Sequence, residues 1–294
     1  MDWKSKRVTA LLEQALREDK ATKDATTAIT INPMLRASGT IIAKQDCVLA
    51  GVGCIPRFLD IFAQYDTHQS GRFEVISHPE IFDGVRLRPG QAIAVIRHNA
   101  RVILACERVI LNLLQHMSGV ATMTRRYVDE VKGTKVKVLD TRKTMPGMRV
   151  LDKYAVRCGG GENHRLDLSD GILIKNNHIS LGGGLAKVLA AALANREPGR
   201  KVEVEVRNFD ELQLALDGGA EAILLDNMAA AEVKKAVAIV RDRGLTIPVE
   251  ASGGIVLENI RKYALAGVDY ISVGALTHSA TAVDLSMRIT AELY

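Results

Sequence analysis

The chain has 294 residues, 47% of them hydrophobic and 25% charged, with a formal net charge of +5. That is enough apolar sequence for one large core or two smaller ones. Aromatic residues make up only 4%, and no Lys/Arg run or basic–aromatic stripe occurs, so nucleic acid is not an expected partner despite the modest basicity. No apolar run approaches the roughly eighteen residues that a membrane-spanning helix needs, and the charged, amphipathic first residues contain no signal-peptide core. Cys47, Cys54, Cys106 and Cys158 form no CxxC motif and no metal-like cluster with histidine, which fits reduced thiols in a cytoplasmic protein.

In chain order, Val8, Leu11, Leu12, Ala15 and Leu16 have helical spacing and predict an amphipathic first helix. Residues 38–105 carry short β-branched runs (TIIAK, FEVIS, AIAVIR, VILA) separated by Gly, Pro and Asn turns, with one helix near Ile55–Gln64. This reads as a small α+β unit with an antiparallel sheet. A long helix is expected over Glu107–Val131. After Gly133 the pattern alternates: strands at Lys135–Leu139, Ile172–Lys175, Val202–Val206, Ala222–Asp226, Ile247–Glu250 and Tyr270–Val273, with helices such as Leu185–Asn195, Phe209–Leu216 and Ala229–Arg241 between them. Such alternation implies parallel strands, hence an α/β barrel or a doubly wound sheet.

The strand ends favour the barrel. Each carries a polar or small group: Asp140 with Arg142 and Lys143, Lys175, Glu205, Asp226, Glu250 with Ser252, and Gly274. A barrel brings all such ends to one site, whereas an open sheet gathers ligands mainly at one switch point. ASGGI and VGA, on the last two strands, would offer backbone N–H groups to a phosphate, with Ser252 as a further donor.

Arg142, Lys143, His164, Arg165 and Lys175 sit at element junctions without helical periodicity, as the cations of a pocket for a strongly anionic small molecule would. Glu205 and Asp226 are placed to share a site, holding Mg²⁺ or sugar hydroxyls. Glu203 reads as solvated, and Glu250 either as a third site carboxylate or as the structural partner of a cation. Arg149, Lys153 and Arg157 recur every four residues and read as a solvated helix face. His116 and Asn112 read as satisfied polar residues at a packing surface, and spacing leaves Arg108 ambiguous.

The stretch DTRKTMPGMRVLDKYAVRCGGGENHRLDLSDGILIKNNHI closely resembles the signature of the quinolinate phosphoribosyltransferases, also called nicotinate-nucleotide diphosphorylases (carboxylating). ERVILNLLQHMSGVAT, VEVEVR, ILLDNM, VEASGGI and GVDYISVGALTHS extend the resemblance in order across residues 85–280. REDKATKDATTAIT resembles the family's acidic start, with Lys23 where glycine is common. The resemblance implies an N-terminal α/β sandwich domain (1–113, with a C-terminal helix over 280–294 packing on it). An incomplete α/β (TIM-like) barrel would follow over 114–279. It implies a homodimer, or a trimer of dimers, in which Arg108 reaches the neighbour's site.

By the same resemblance, Arg142, Lys143, His164, Arg165 and Lys175 would bind a pyridine dicarboxylate and phosphates. Glu205 and Asp226 would hold ribose hydroxyls and Mg²⁺, and Ser252, Gly253, Gly254 and Gly274 would cradle the 5′-phosphate. Lys143, Glu205 and Asp226 would carry the transfer itself. The implied reaction joins quinolinate to phosphoribosyl pyrophosphate (PRPP), releasing pyrophosphate and CO₂ and leaving nicotinate mononucleotide. The alternatives are an enzyme of the same fold with another acceptor, and a non-catalytic phosphosugar-binding protein. The second would need neither the paired carboxylates nor the full cation set.

Overall fold

A computed structural model describes residues 1–65 and 72–292. The chain divides into two compact units, one formed by residues 1–124, 145–160 and 280 onward, the other by 125–144 and 161–279.

The first unit begins with α1 (Lys6–Glu18), α2 (Ala25–Thr30), β1 (Arg36–Ala43), β2 (Cys47–Val48) and α3 (Cys54–Tyr65). There follow β3 (Glu74–Ile76), β4 (Arg86–Leu87), β5 (Ala92–Asn99) and α4 (Ala100–Glu130). Alternation along β1 buries Ala37, Ile41 and Ala43 on one face. α1 turns Val8, Leu12 and Leu16 inward and packs on α3, whose Ile55, Phe58 and Leu59 are fully buried. Asp24 caps α2, its Oδ1 accepting the Thr27 N–H at 3.0 Å.

The second unit and its connections comprise β6 (Lys137–Leu139), α5 (Arg149–Cys158), β7 (Ile172–Ile174), α6 (Asn176–Leu181), α7 (Leu185–Asn195) and β8 (Val202–Val206). They continue through α8 (Phe209–Asp217), β9 (Ala222–Asp226), α9 (Ala230–Asp242), β10 (Val249–Ser252), α10 (Ile260–Ala264), β11 (Tyr270–Ser272) and α11 (Ala275–His278). The segment α5 belongs to the first unit, as does the last strand, β12 (Leu285–Ala291).

The parallel sheet runs β6-β11-β10-β9-β8-β7. The first strand therefore pairs with the last, as in a barrel, and the opening lies between β6 and β7, which are consecutive in sequence. A single parallel bridge, Leu139 to Glu162, extends the β6 edge. This is the incomplete TIM-like barrel. On β8, Val202, Val204 and Val206 are fully buried and point one way, while Glu203 and Glu205 point the other.

Four expectations need correction. VILA (102–105) is helical, not a strand. Val102, Ile103, Cys106, Val109 and Ile110 continue the buried stripe of α4 backward, and Asn99 Oδ1 accepts the Arg101 N–H at 2.9 Å. The C-terminal segment is not a helix over 280–294: it forms β12, antiparallel to β1. Its alternating Leu285, Met287 and Ile289 set the period at two, and residues 293 and 294 lie outside the described residues. The Arg149–Lys153–Arg157 stripe is not uniformly solvated, since only Arg157 is exposed and Lys153 is buried. Helical spacing places three residues on one face without fixing where the edge of the packed surface falls. Glu203, finally, is largely buried rather than solvated, because its side of β8 faces the barrel interior.

Candidate active site

At the carboxyl ends of the parallel strands lies a cavity of about 470 Å³. Its lining includes Arg142, Lys143, His164, Arg165, Lys175, Glu205, Asp226, Ser252, Gly253 and Gly254, together with Glu250. Parallel pairing is what aligns these groups: Glu205 of β8 sits opposite Leu224 of β9, and Asp226 opposite Ser252 of β10. Residues more than a hundred positions apart therefore share one cavity.

The segment that follows the triple glycine is fixed by Asp140, which is fully buried at the end of β6. Its carboxylate accepts the His164 N–H at 2.9 Å and the Asn163 side-chain amide at 2.6 Å. Gly159, the first of the three glycines, packs closely on α4, where a Cβ would stand 2.5 Å from the Ala121 carbonyl oxygen. On the opposite edge Lys175 Nζ donates to Glu205 Oε2 at 2.9 Å.

His164 faces two carboxylates, with Nε2 at 3.4 Å from Glu250 and 3.6 Å from Glu203. Burial by itself would lower the imidazole, but the attraction of Glu203 and Glu250 outweighs it and raises the ring to about 10. The Arg165 N–H bonds Nδ1 at 2.8 Å and so favours a ring whose hydrogen sits on Nε2 alone. The carboxylates favour a second hydrogen, and full charges outweigh one amide dipole. In either state Nε2 presents a hydrogen to the carboxylates. Burial and the nearby Arg142 lower the Arg165 guanidinium below its usual value.

A tight glycine turn follows β10. Gly253 (φ +86°) and Gly254 (φ +63°) adopt left-handed backbone, and a Cβ on Gly253 would meet Asn227 Oδ1 at 2.4 Å. Ser252 Oγ accepts from Ser272 Oγ at 2.8 Å. Gly274 does not line the cavity. It backs Lys143 instead, where its absent side chain leaves room for the Lys143 stem at 3.0 Å, and Thr277 Oγ1 donates to the Lys143 carbonyl at 2.9 Å.

Arg108 is exposed on α4 in the first unit and lines a separate cavity of about 340 Å³ with Asn112, Leu11 and Met148. His116 is satisfied, its Nε2 lying 2.7 Å from the fully buried Asp152. Sequence reasoning missed Thr141, Asn227 and Ser272 among the lining residues. Asn227 had a usable signal: an asparagine just after a strand suits the left-handed backbone that it adopts (φ +55°).

Clustered cations, a carboxylate pair and a glycine cradle at the carboxyl edge of an incomplete barrel define an α/β-barrel enzyme for phosphorylated anions. Models of the quinolinate phosphoribosyl transferase N-terminal and C-terminal domains match residues 24–118 and 120–288. The chain is 42% identical over 279 residues, 95% of either chain, to the nicotinate-nucleotide pyrophosphorylase [carboxylating] of Mycobacterium leprae. Among solved structures it is similar to NadC from Streptococcus pyogenes (TM-score 0.87, 38% identity, 96% of each chain). It is also similar to the nicotinate-nucleotide pyrophosphorylase of Ehrlichia chaffeensis (TM-score 0.85, 36% identity, 96% of this chain and 98% of that one). The protein belongs to the quinolinate phosphoribosyltransferase family and is a phosphoribosyltransferase enzyme.

Proposed function

We propose that this enzyme transfers the phosphoribosyl group of PRPP to the ring nitrogen of quinolinate and decarboxylates the product to nicotinate mononucleotide, with release of pyrophosphate and CO₂. The observation that carries the reading is the meeting of Arg142, Arg165 and Lys175 with the Glu205–Asp226 pair and the Ser252–Gly254 cradle in one cavity. A dicarboxylate needs the first group and a phosphoribosyl donor needs the other two. The reaction would take place in the cytoplasm.

Arg142, Arg165 and Lys175 would take the two carboxylates, the guanidinium groups in bidentate fashion. The Gly253–Gly254 backbone would hold the 5′-phosphate and so fix the sugar's C1′ against the ring nitrogen. Glu205 and Asp226 would accept from ribose hydroxyls and stabilise positive charge building at C1′. Lys143 would face the departing pyrophosphate. No general acid or base is required for this step. In the decarboxylation the bond from C2 to its carboxylate breaks to release CO₂, the ribosylated ring nitrogen stabilises the electron pair left on C2, and a proton from water takes the vacated position.

The carboxylates also fit a hard divalent cation held chiefly by substrate phosphates and water. Glu205 is already charge-paired with Lys175, and Asp226 accepts from Asn227 Nδ2 at 3.0 Å, so the pair makes an open ligand set rather than a closed cage. Mg²⁺ bound there would neutralise the leaving pyrophosphate. The active assembly is a homodimer, alone or as a trimer of dimers, in which Arg108 completes the neighbour's site.

The test is purified enzyme with PRPP, Mg²⁺ and quinolinate labelled in its 2-carboxylate. Labelled CO₂ and nicotinate mononucleotide are expected in equal amounts. Turnover of nicotinate with none of quinolinate would overturn the reading.

A further inference from the structure

A buried acid, Glu250, lines the cavity built to attract anions, and a second, largely buried acid, Glu203, stands behind it. Glu250 is 3% exposed, one of its oxygens lies 3.4 Å from His164 Nε2, and the other, Oε1, is buried with no hydrogen-bond partner among the described residues. Glu203 lies 3.6 Å from the same nitrogen. Burial, with the like charge of Glu250, holds the Glu203 carboxyl above the usual carboxylate range although His164 acts the other way. Such groups would repel a dianionic substrate, so their presence calls for a function of their own.

Their position separates them from substrate contact. Glu203 lines a second cavity of about 260 Å³, reached from the amino-terminal ends of the strands beside Ile172, Ala222 and Pro248, and does not line the anion cavity. His164, Arg165, Leu173 and Glu250 line both and form the partition. The three groups are compact enough to hold a metal, their ligating atoms lying within 4.8 Å of one another. The other side of the ring argues against that. A metal-bound imidazole is oriented by an acceptor for its second N–H, whereas here Nδ1 faces the Arg165 backbone N–H, itself a donor, at 2.8 Å.

We propose that Glu203 and Glu250 are positioning residues that clamp the His164 ring at Nε2 and so hold in place the segment that carries Arg165 at the anion cavity. Two carboxylates from different strands, β8 and β10, fix the ring more tightly than one could, and Asp140 secures the His164 backbone at the same time. The clamp exchanges some attraction for the substrate for a fixed position of the segment that carries Arg165. It rests on the quinolinate reading only in what Arg165 would bind.

The experiment compares Glu203→Gln, Glu250→Gln, His164→Gln and the Glu203→Gln/His164→Gln double variant. Histidine-ring nitrogen NMR on the ligand-free enzyme, with His164 assigned by the signal lost in His164→Gln, should show the Nε2 resonance displaced in both glutamate variants. Kinetically, Glu203→Gln should raise KM for quinolinate about tenfold, the scale of one charge-assisted hydrogen bond, with KM for PRPP within about twofold. In the His164→Gln background the added Glu203→Gln change should have no further effect, since both act through one ring. An unmoved Nε2 resonance, an unchanged quinolinate KM, or effects that multiply in the double variant would each overturn the clamp. Should the wild-type enzyme not turn over quinolinate, the ring resonances alone decide: a displaced signal keeps the clamp while the substrate reading falls. Should Glu203→Gln not fold, Glu250→Gln carries the same comparison.

Discussion

Lys175 and Glu205 form a 2.9 Å ion pair between the ends of adjacent strands, β7 and β8, with the glutamate side chain 8% exposed and the lysine 43%. The lysine thus serves the buried carboxylate and the cavity together. Lys175→Ala should weaken quinolinate binding by at least about a hundredfold, as expected when one of a few clustered cations is lost. Solvent screening at the exposed lysine limits the cost in stability to about 1 kcal/mol. Calorimetric titration with quinolinate, beside a melting curve, checks both. Wild-type affinity in the variant would remove Lys175 from the site.

The cradle makes a sharper prediction, because its two glycines differ. Gly253→Ala puts a methyl 2.4 Å from Asn227 Oδ1 on a left-handed backbone, whereas at Gly254 the nearest atom is that same oxygen at 4.0 Å. Gly254→Ala should cost about 1 kcal/mol of backbone strain and little else. Gly253→Ala should raise KM for PRPP by more than about tenfold, because the loop itself must shift. Equal effects in the two variants would contradict the geometry.

His164 gives stability a pH dependence of definite sign. Its folded value, about 10, lies above the ordinary 6.5, so the folded state binds the proton more tightly than the unfolded chain. The contribution is full below about 6.5 and is lost as pH rises toward 10. Denaturant melts between those limits should show wild type losing stability with pH more steeply than His164→Gln. Parallel curves for the two proteins would mean that the ring is not held as an imidazolium.

The shared-site proposal can be tested without a structure of the assembly. Arg108→Ala and Lys175→Ala should each be nearly inactive alone. Mixed and allowed to exchange subunits, they should regain up to about a quarter of wild-type activity per site, because a random hybrid dimer carries one intact site. Hybrids that form and remain dead would show that Arg108 does not act across subunits.

Much of this site was legible in the sequence because parallel strands carry their function at one end. VEVEV and AILLD are β8 and β9 to the residue, and the polar groups ending them line the cavity. Alternation also put Glu203 and Glu205 on one side of β8, but not at different depths. Depth depends on what the other strands contribute, so Glu203 was misread as solvated. The VILA run shows the complementary failure. β-branched residues suit strands locally, yet the buried stripe of a 31-residue helix overrode that preference. The Asp140 bonds to residues 163 and 164 had no sequence signal, since they depend on a loop returning beside the strand it left.

The pairing of β1 with β12 joins residues 37–43 to residues 285–291. The sheet built on β1 is therefore closed by a strand made after every strand of the barrel. During synthesis, at about 5–20 residues per second, the barrel's strands all emerge before the first unit can be finished. Until β12 arrives, β1 presents an open edge of unpaired backbone groups, the kind of edge that invites pairing with another chain. The unit whose synthesis starts first is thus completed only after the barrel, and the edge of β1 stays exposed for as long as the barrel takes to be made.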